Sequence, residues 1–173
     1  MGDMFEYGKG VAQDKAEAIR WYRLAAAQGN ASAQTSLRRF EQAYRDAESK
    51  AAQGDAAAQC RLGDMFYKGH GVAQDYAEAV RLYSLAAAQG NAHAQNNLGV
   101  MFESGKGVAQ DYAEAVRLFR LAAAQGDAVA QCWLGDMFEK GKGVARDYAE
   151  AVRLFRLASA QGLAGSKIGR AHV

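Results

Sequence analysis

Proline is absent from this chain, cysteine occurs only twice, and the net charge at neutral pH is only +2 over 173 residues. Cys60 and Cys132 both follow the dipeptide Ala-Gln, and two thiols cannot supply a disulfide framework. Acidic and basic residues interleave along the chain, which excludes the basic footprint that nucleic acid demands and leaves no membrane-surface patch. No apolar run approaches the ~20 residues of a bilayer-spanning helix, so membrane insertion is not expected. Met1 is followed by GDMFEYGKG, not by a charged and then apolar leader, so the compartment is not readable from the amino terminus.

What the chain does contain is repetition. GKGVAQD at Gly105–Asp111 recurs at Gly8–Asp14, as GHGVAQD at Gly69–Asp75 and as GKGVARD at Gly141–Asp147. Residues 53–88, 89–124 and 125–160 align without gaps as three copies of a 36-residue unit. A period of this size means a stacked array of small units, none of which buries its apolar face alone. Within the unit, Asn91 is placed to cap a first helix that runs to about Ser104, where Gly105 and Gly107 stop it. Asp111 then caps a second helix ending at Gly126, and Asp111 with Glu114 spells a capping box, repeated as Asp14 with Glu17, Asp75 with Glu78 and Asp147 with Glu150. Each unit is therefore a helical hairpin.

Tyr112, Ala115, Val116, Phe119, Ala122 and Ala123 recur at spacings of three and four as one apolar stripe, and Leu118 with Leu121 adds a second. A helix with two apolar faces packs against its hairpin partner and the next unit. On the first helix Ala94, Leu98, Met101 and Phe102 do the corresponding work. Gly99, like Gly63 and Gly135, sits mid-helix at a cost of about 1 kcal/mol relative to alanine, which marks a close helix crossing. Residues 28–52 form a shorter unit without the two-glycine corner. Its apolar series Ala33, Leu37, Phe40, Tyr44, Ala47, Ala51 predicts one continuous helix from about Ala31 to Ala51, and Arg38 stands where the mid-helix glycine would be.

The pattern A-x-A-Q-x-x-L-G-x-M-F-x-x-G-x-G-V, followed by D-Y-A-E-A-V-R-L-[FY]-x-L-A and a closing Q-G-[ND], resembles the Sel1-like repeat, a branch of the tetratricopeptide-like helical solenoids. The resemblance covers residues 1–162: a partial repeat (1–27), the truncated repeat or long helix (28–52) and three full repeats (53–88, 89–124, 125–160). It implies an all-α, right-handed α-α superhelix, a solenoid that serves as a scaffold for protein partners, and near-consensus repeats of this kind look bacterial.

Chemistry finds little to stand on. A phosphate-binding loop needs G-x-x-x-x-G-K-[ST] between a strand and a helix, and GKGVAQD has neither the spacing nor the strand. The dinucleotide fingerprint fails as well, because Gln110 stands where its third glycine belongs. The corner is read instead as a turn whose Val108 plugs the core. Some cysteine-rich members of the family have been linked to β-lactam hydrolysis, but S-x-x-K, S-D-N and K-T-G are all missing here. Those relatives also carry a cysteine pair within each repeat. Cys60 and Cys132, two repeats and on the order of 20 Å apart if helices stack at ~8–10 Å, read as small buried thiols. His70, His93 and His172 are scattered and match no metal-ligand spacing, and Glu103 and Asp111 are explained by helix ends. No catalytic, cofactor or metal site is expected.

The units differ from one another mainly on one face of the first helix. The differences fall at Ala57, Cys60, Arg61 and Asp64, at His93, Asn96, Asn97 and Val100, and at Val129, Cys132, Trp133 and Asp136, the spacing i, i+3, i+4, i+7. In tetratricopeptide-like solenoids the first helix lines the concave surface. The resemblance therefore makes Arg61, Asp64, His93, Asn96, Asn97, Val100, Trp133 and Asp136 the groove residues for a protein or peptide partner, with Trp133 and Arg61 as anchors. Trp133→Ala is then expected to weaken capture of the partner and leave stability nearly unchanged. The competing readings are a structural spacer within a larger protein and an enzyme of unknown chemistry.

The two ends carry separate expectations. Met1–Phe5 aligns with Leu62–Phe66, so the chain starts halfway along a first helix without its cap. After Gln161 and Gly162 the next A-x-A-Q-x-x-L-G does not arrive, and Lys167–Val173, KIGRAHV, resembles an in-frame translation of a sequencing adapter. The chain is thus expected to be a fragment whose tail, residues 163–173, packs on nothing. Leu154 and Leu157 are expected to face a missing neighbour, exposed and prone to self-association.

Overall fold

A computed structural model describes residues 1–11 and 14–162, so the expectation for the tail lies outside the described residues. Those residues form helices and the turns between them, without a strand. The helices are α1 (Gly2–Tyr7), α2 (Lys15–Ala27), α3 (Ala31–Ala52), α4 (Ala56–Lys68), α5 (Tyr76–Ala88), α6 (Ala92–Ser104), α7 (Tyr112–Ala124), α8 (Ala128–Lys140) and α9 (Tyr148–Ala160). The chain is all-α. It divides into two compact units, Met1–Ala79 and Val80–Val173, the division falling within α5.

In the second unit α6 packs on α7, α7 on α8, and α8 on α9. The apolar stripe expected on α7 is the core: Ala115, Val116, Phe119 and Ala122 are buried with Leu134, Met137 and Leu154, and Tyr112 and Ala123 pack at the margin. In the first unit α1 packs on α2, α2 on α3, and α3 on α4. Its core joins Ala18 and Tyr22 to Ala33, with Leu37 and Phe40 against them. The uninterrupted helix expected over 31–51 is α3, whose Phe40 ring lies 6.3 Å from Tyr22 and whose Tyr44 ring meets Phe66 edge-on at 6.5 Å.

Caps follow the sequence closely. Asn30, Asp55, Asn91 and Asp127 each accept a backbone N–H three residues on, opening α3, α4, α6 and α8. Asp111 accepts Glu114 N–H at 3.0 Å. The capping box is one-sided, however. Glu114 does not reach back but holds Arg117 through two hydrogen bonds, and the Asp111 N–H donates to the Phe102 carbonyl at 3.0 Å. Glu150 with Arg153 and Asp147 with Phe138 repeat the arrangement. The corner brings the chain back close enough for a main-chain acceptor to take the proton that a capping box would give to Glu, which frees the carboxylate for the i+3 arginine. Met1, at the start of α1, makes no side-chain cap.

The mid-helix glycines mark close crossings, as expected. A Cβ on Gly99 would stand 2.7 Å from the Phe119 ring, and one on Gly135 the same distance from Phe155. Leu154 departs from expectation: it is buried, like its counterparts Leu82 and Leu118, and belongs to the core that α8 and α9 share. Leu157 is 42% exposed, but Leu85 and Leu121 at the same position are 43% and 42% exposed. Exposure there is a property of the position and not of the end of the stack. The second apolar stripe is correspondingly half a stripe: Leu118 is inside and Leu121, about 60° further round the helix, lies past the edge of the packed face.

Candidate protein-binding face

The glycine corner places the first helix against the second, and several of its polar groups serve that purpose. Gly105 adopts φ 69°, a left-handed geometry that glycine takes without strain, and closes α6 through its N–H to the Met101 carbonyl. Gln110 donates Nε2–H to the Glu103 carbonyl at 2.7 Å, and Gln74 does the same to Tyr67 at 2.8 Å. Lys142, in the next corner, pairs with Glu103 at 3.1 Å and lies 4.8 Å from the centre of the Tyr112 ring. The lysine of this GKG corner therefore bridges neighbouring repeats, which leaves the phosphate reading without a free cation there.

A glutamine ladder fixes the start of each first helix. Gln59, Gln95 and Gln131 are buried and donate Nε2–H to the carbonyls of Ala51, Ala87 and Ala123. In the second unit the rung continues: Gln125 donates to Gln95 Oε1 at 2.8 Å and Gln161 to Gln131 Oε1 at 3.1 Å. The signal for it is in the sequence, the Gln of A-x-A-Q and the Gln of the closing Q-G, but nothing in the linear pattern pairs them.

On this frame the variable positions divide by angle. Cys60, Asn96 and Cys132, the i+3 positions, are buried. Burial pushes the Cys60 thiol up to about 11 and raises Cys132 as well, so both are small buried thiols and neither is paired. Asn96 points inward too, unlike the groove side chain expected of it: its Nδ2 meets Asn97 Oδ1 at 3.3 Å, and its buried Oδ1 has no partner among the described residues. At position i, His93 is exposed and its Nδ1 lies 3.2 Å from Asp127, the carboxylate that caps α8. Positions i+4 and i+7 lie between. Arg61 is exposed, Asn97, Val100, Asp64 and Asp136 are half-buried, and Asp136 holds Lys140 at 2.7 Å. Trp133 is half-buried with one face stacked on Phe119, the rings 5.9 Å apart and 6° from parallel.

Within the second unit His93, Asn97, Val100, Trp133 and Asp136 lie on equivalent faces of two successive first helices; Arg61 and Asp64 share a cleft of the first unit with residues of α2 and α3. No helix among the described residues is long and apolar enough to cross a membrane, and no group of His, Cys, Asp and Glu there is arranged to hold a metal.

Comparison with known proteins finds the same 36-residue period, in a frame three residues later than the one read above. The Sel1 repeat model matches residues 1–30, 56–91, 92–127 and 128–163, passing over the long helix α3. No curated protein matches. Among solved structures, a protective antigen of uropathogenic Escherichia coli displaying an SLR fold is 35% identical with a TM-score of 0.67, over 94% of this chain and 37% of that one. A Sel1 repeat protein from Oxalobacter formigenes is 30% identical with a TM-score of 0.66, over 94% and 71% of the two chains. Cysteine rich protein B of Helicobacter pylori is 27% identical with a TM-score of 0.55, over 69% and 91%. The chain thus spans little more than a third of the E. coli antigen's length. Its neighbours are SLR solenoids from bacteria, and this fold commonly mediates protein–protein interaction. With the family model matched over four repeats and a Sel1 repeat protein 30% identical over most of both chains, the chain belongs to the Sel1 repeat family.

Proposed function

We propose that this chain is a non-enzymatic scaffold that holds peptide or protein segments against the outward sides of its first helices, α4 in the first unit and α6 and α8 in the second. The observation that carries the reading is a division of labour within each repeat. Residues that recur from unit to unit cap helices, fill the core or form the glutamine ladder. Most of those that differ, Arg61, Asp64, His93, Asn97, Val100, Trp133 and Asp136, sit at exposed or half-exposed positions. A recognition surface needs this combination of a rigid frame and varied side chains. Asn96 is outside the set, because its side chain is buried.

Panning a random peptide library on the folded protein, and mapping the selected peptides by backbone amide shifts, tests the reading. Contacts concentrated on α4, α6 and α8 are expected. A purely structural spacer would select no peptide with residue-specific contacts, and contacts confined to the second helices would overturn the proposal.

A further inference from the structure

The first unit contains a cleft of about 460 Å³ whose walls come from the start of α2, the second half of α3 and the outward side of α4. Four cations line it: Lys15, Lys50, Arg61 and Lys68. Among the described residues none of the four makes an ion pair or a side-chain hydrogen bond. Two carboxylates share the walls, Asp46, which accepts from Gln42, and Asp64, and the apolar lining is Ala43, Ala47 and Met65.

Of the four, only Lys68 has a cation at the matching position of the second unit, Lys140, while Lys142 there matches His70, and both lysines of that corner are neutralised. Lys140 is held by Asp136, whereas Lys68 is not held by Asp64. Lys142 is held by Glu103 and covers Tyr112. In the first unit the counterpart of Glu103 is Glu6, and it is taken by Tyr22 and Arg39; the counterpart of Tyr112 is Lys15. An acceptor is diverted and a lysine added. The single helix α3 then contributes Lys50 where no corner intervenes. His70, at the rim, reads the resulting field: burial, with Lys68 and Lys15 beside it, holds its imidazole below the ordinary range against the opposing pull of Asp14 and Asp64.

From the four unpaired cations converging on this cleft we infer that it binds an acidic peptide segment, one that presents Glu or Asp side chains to Lys15, Lys50, Arg61 and Lys68. This deepens the scaffold reading and rests on it, since Arg61 and Asp64 belong to the same first-helix side. A peptide suits the walls better than a bare phosphate or a nucleic acid. Asp46 and Asp64 repel a dense anion but can accept the N–H groups of a peptide backbone, and the Met65 and alanine surface takes an apolar neighbour. The chain's small net charge offers no track for a polyanion beyond the cleft.

The test uses the full chain and a short fluorescent peptide alternating Glu with Leu and Gly, together with its Gln-for-Glu counterpart, at low salt. The Glu peptide is expected to bind at least about tenfold more tightly than the Gln peptide, with affinity falling as salt is raised. Lys50→Gln with Lys68→Gln is expected to weaken binding by about tenfold with the thermal transition unmoved, both side chains being exposed. Equal binding of the two peptides, an indifferent double variant, or displacement by inorganic phosphate or a DNA oligonucleotide as effective as by unlabelled Glu peptide overturns the inference. Library peptides that contact α6 and α8 and ignore the double variant overturn it while leaving the scaffold reading standing. Loss of every first-helix contact overturns both.

Discussion

Gln125 donates its side-chain amide to Gln95 Oε1 at 2.8 Å, thirty residues back along the chain, while Gln95 donates its own to the Ala87 carbonyl at 3.2 Å. One buried side chain thereby joins the ends of three successive helices, α5, α6 and α7, and adds a second donor to a helix-terminal carbonyl that also accepts the Gly90 N–H at 3.0 Å. Gln95→Leu keeps the volume but removes both hydrogen bonds of the buried amide, leaving the Ala87 carbonyl to Gly90 N–H and the Gln125 amide to the Leu121 carbonyl and solvent. It is expected to lower stability by about 1–3 kcal/mol, read as a shifted urea midpoint at constant slope, whereas Gln125→Ala, at the exposed end, should cost less.

Gly99→Ala sets two effects against each other. Alanine gains about 1 kcal/mol in helix propensity, but its methyl group meets the Phe119 ring, which is fully buried and backed by Trp133. Overpacking of this kind costs roughly 1–3 kcal/mol, so a net loss is expected. Adding Phe119→Leu should recover part of the overpacking loss by making room for the methyl. Thermal melting of the single and double variants decides the matter: a more stable Gly99→Ala protein would mean that the crossing is looser than its geometry.

Trp133→Ala cannot leave stability untouched, contrary to the expectation for a free groove residue. The ring is half-buried and stacked on Phe119. Full truncation of a buried aromatic costs about 3–5 kcal/mol, so a half-buried one should cost about 2 kcal/mol, measured by chemical denaturation. Trp133→Phe should restore most of it. A loss of peptide binding in Trp133→Ala therefore needs the phenylalanine variant beside it, while Arg61→Ala, at an exposed position, reports on binding alone.

The thiol of Cys60 gives a pH dependence with a definite sign. Burial raises it from the ordinary 9.0 to about 11, with Asp64 adding to the rise. The folded state therefore keeps the proton more tightly than the unfolded chain. Its contribution to stability is fully present below about pH 9 and is lost as pH climbs through about 11. Alkylation of Cys60 by iodoacetamide at neutral pH should be slow in the native protein and become fast only on denaturation, followed by mass spectrometry. Rapid native labelling would mean that the first helix opens locally.

Most of the local structure was legible in the residues. The N-cap Asn and Asp residues, the corner glycines and the unbroken apolar series from Ala33 to Ala51 located the helices to within a residue or two, because capping, left-handed turns and a 3.6-residue period are properties of short stretches. Gly99 and Gly135 announced a close approach without revealing the ring that fills it. What was not legible is rotation. The period states that Leu118 and Leu121 stand only about 60° apart on the helix, but only the packing of α7 against its neighbours determines that Leu118 is core and Leu121 is surface. The same holds for the variable face, where Asn96 faces inward and Asn97 lies at the boundary. The cleft of Lys15, Lys50, Arg61 and Lys68 is further out of reach, since its cations come from three helices that only the packing of the first unit brings together. Periodicity sets angles within a helix; the angle between helices, and hence which polar groups find each other, is settled by whole side chains packing in three dimensions.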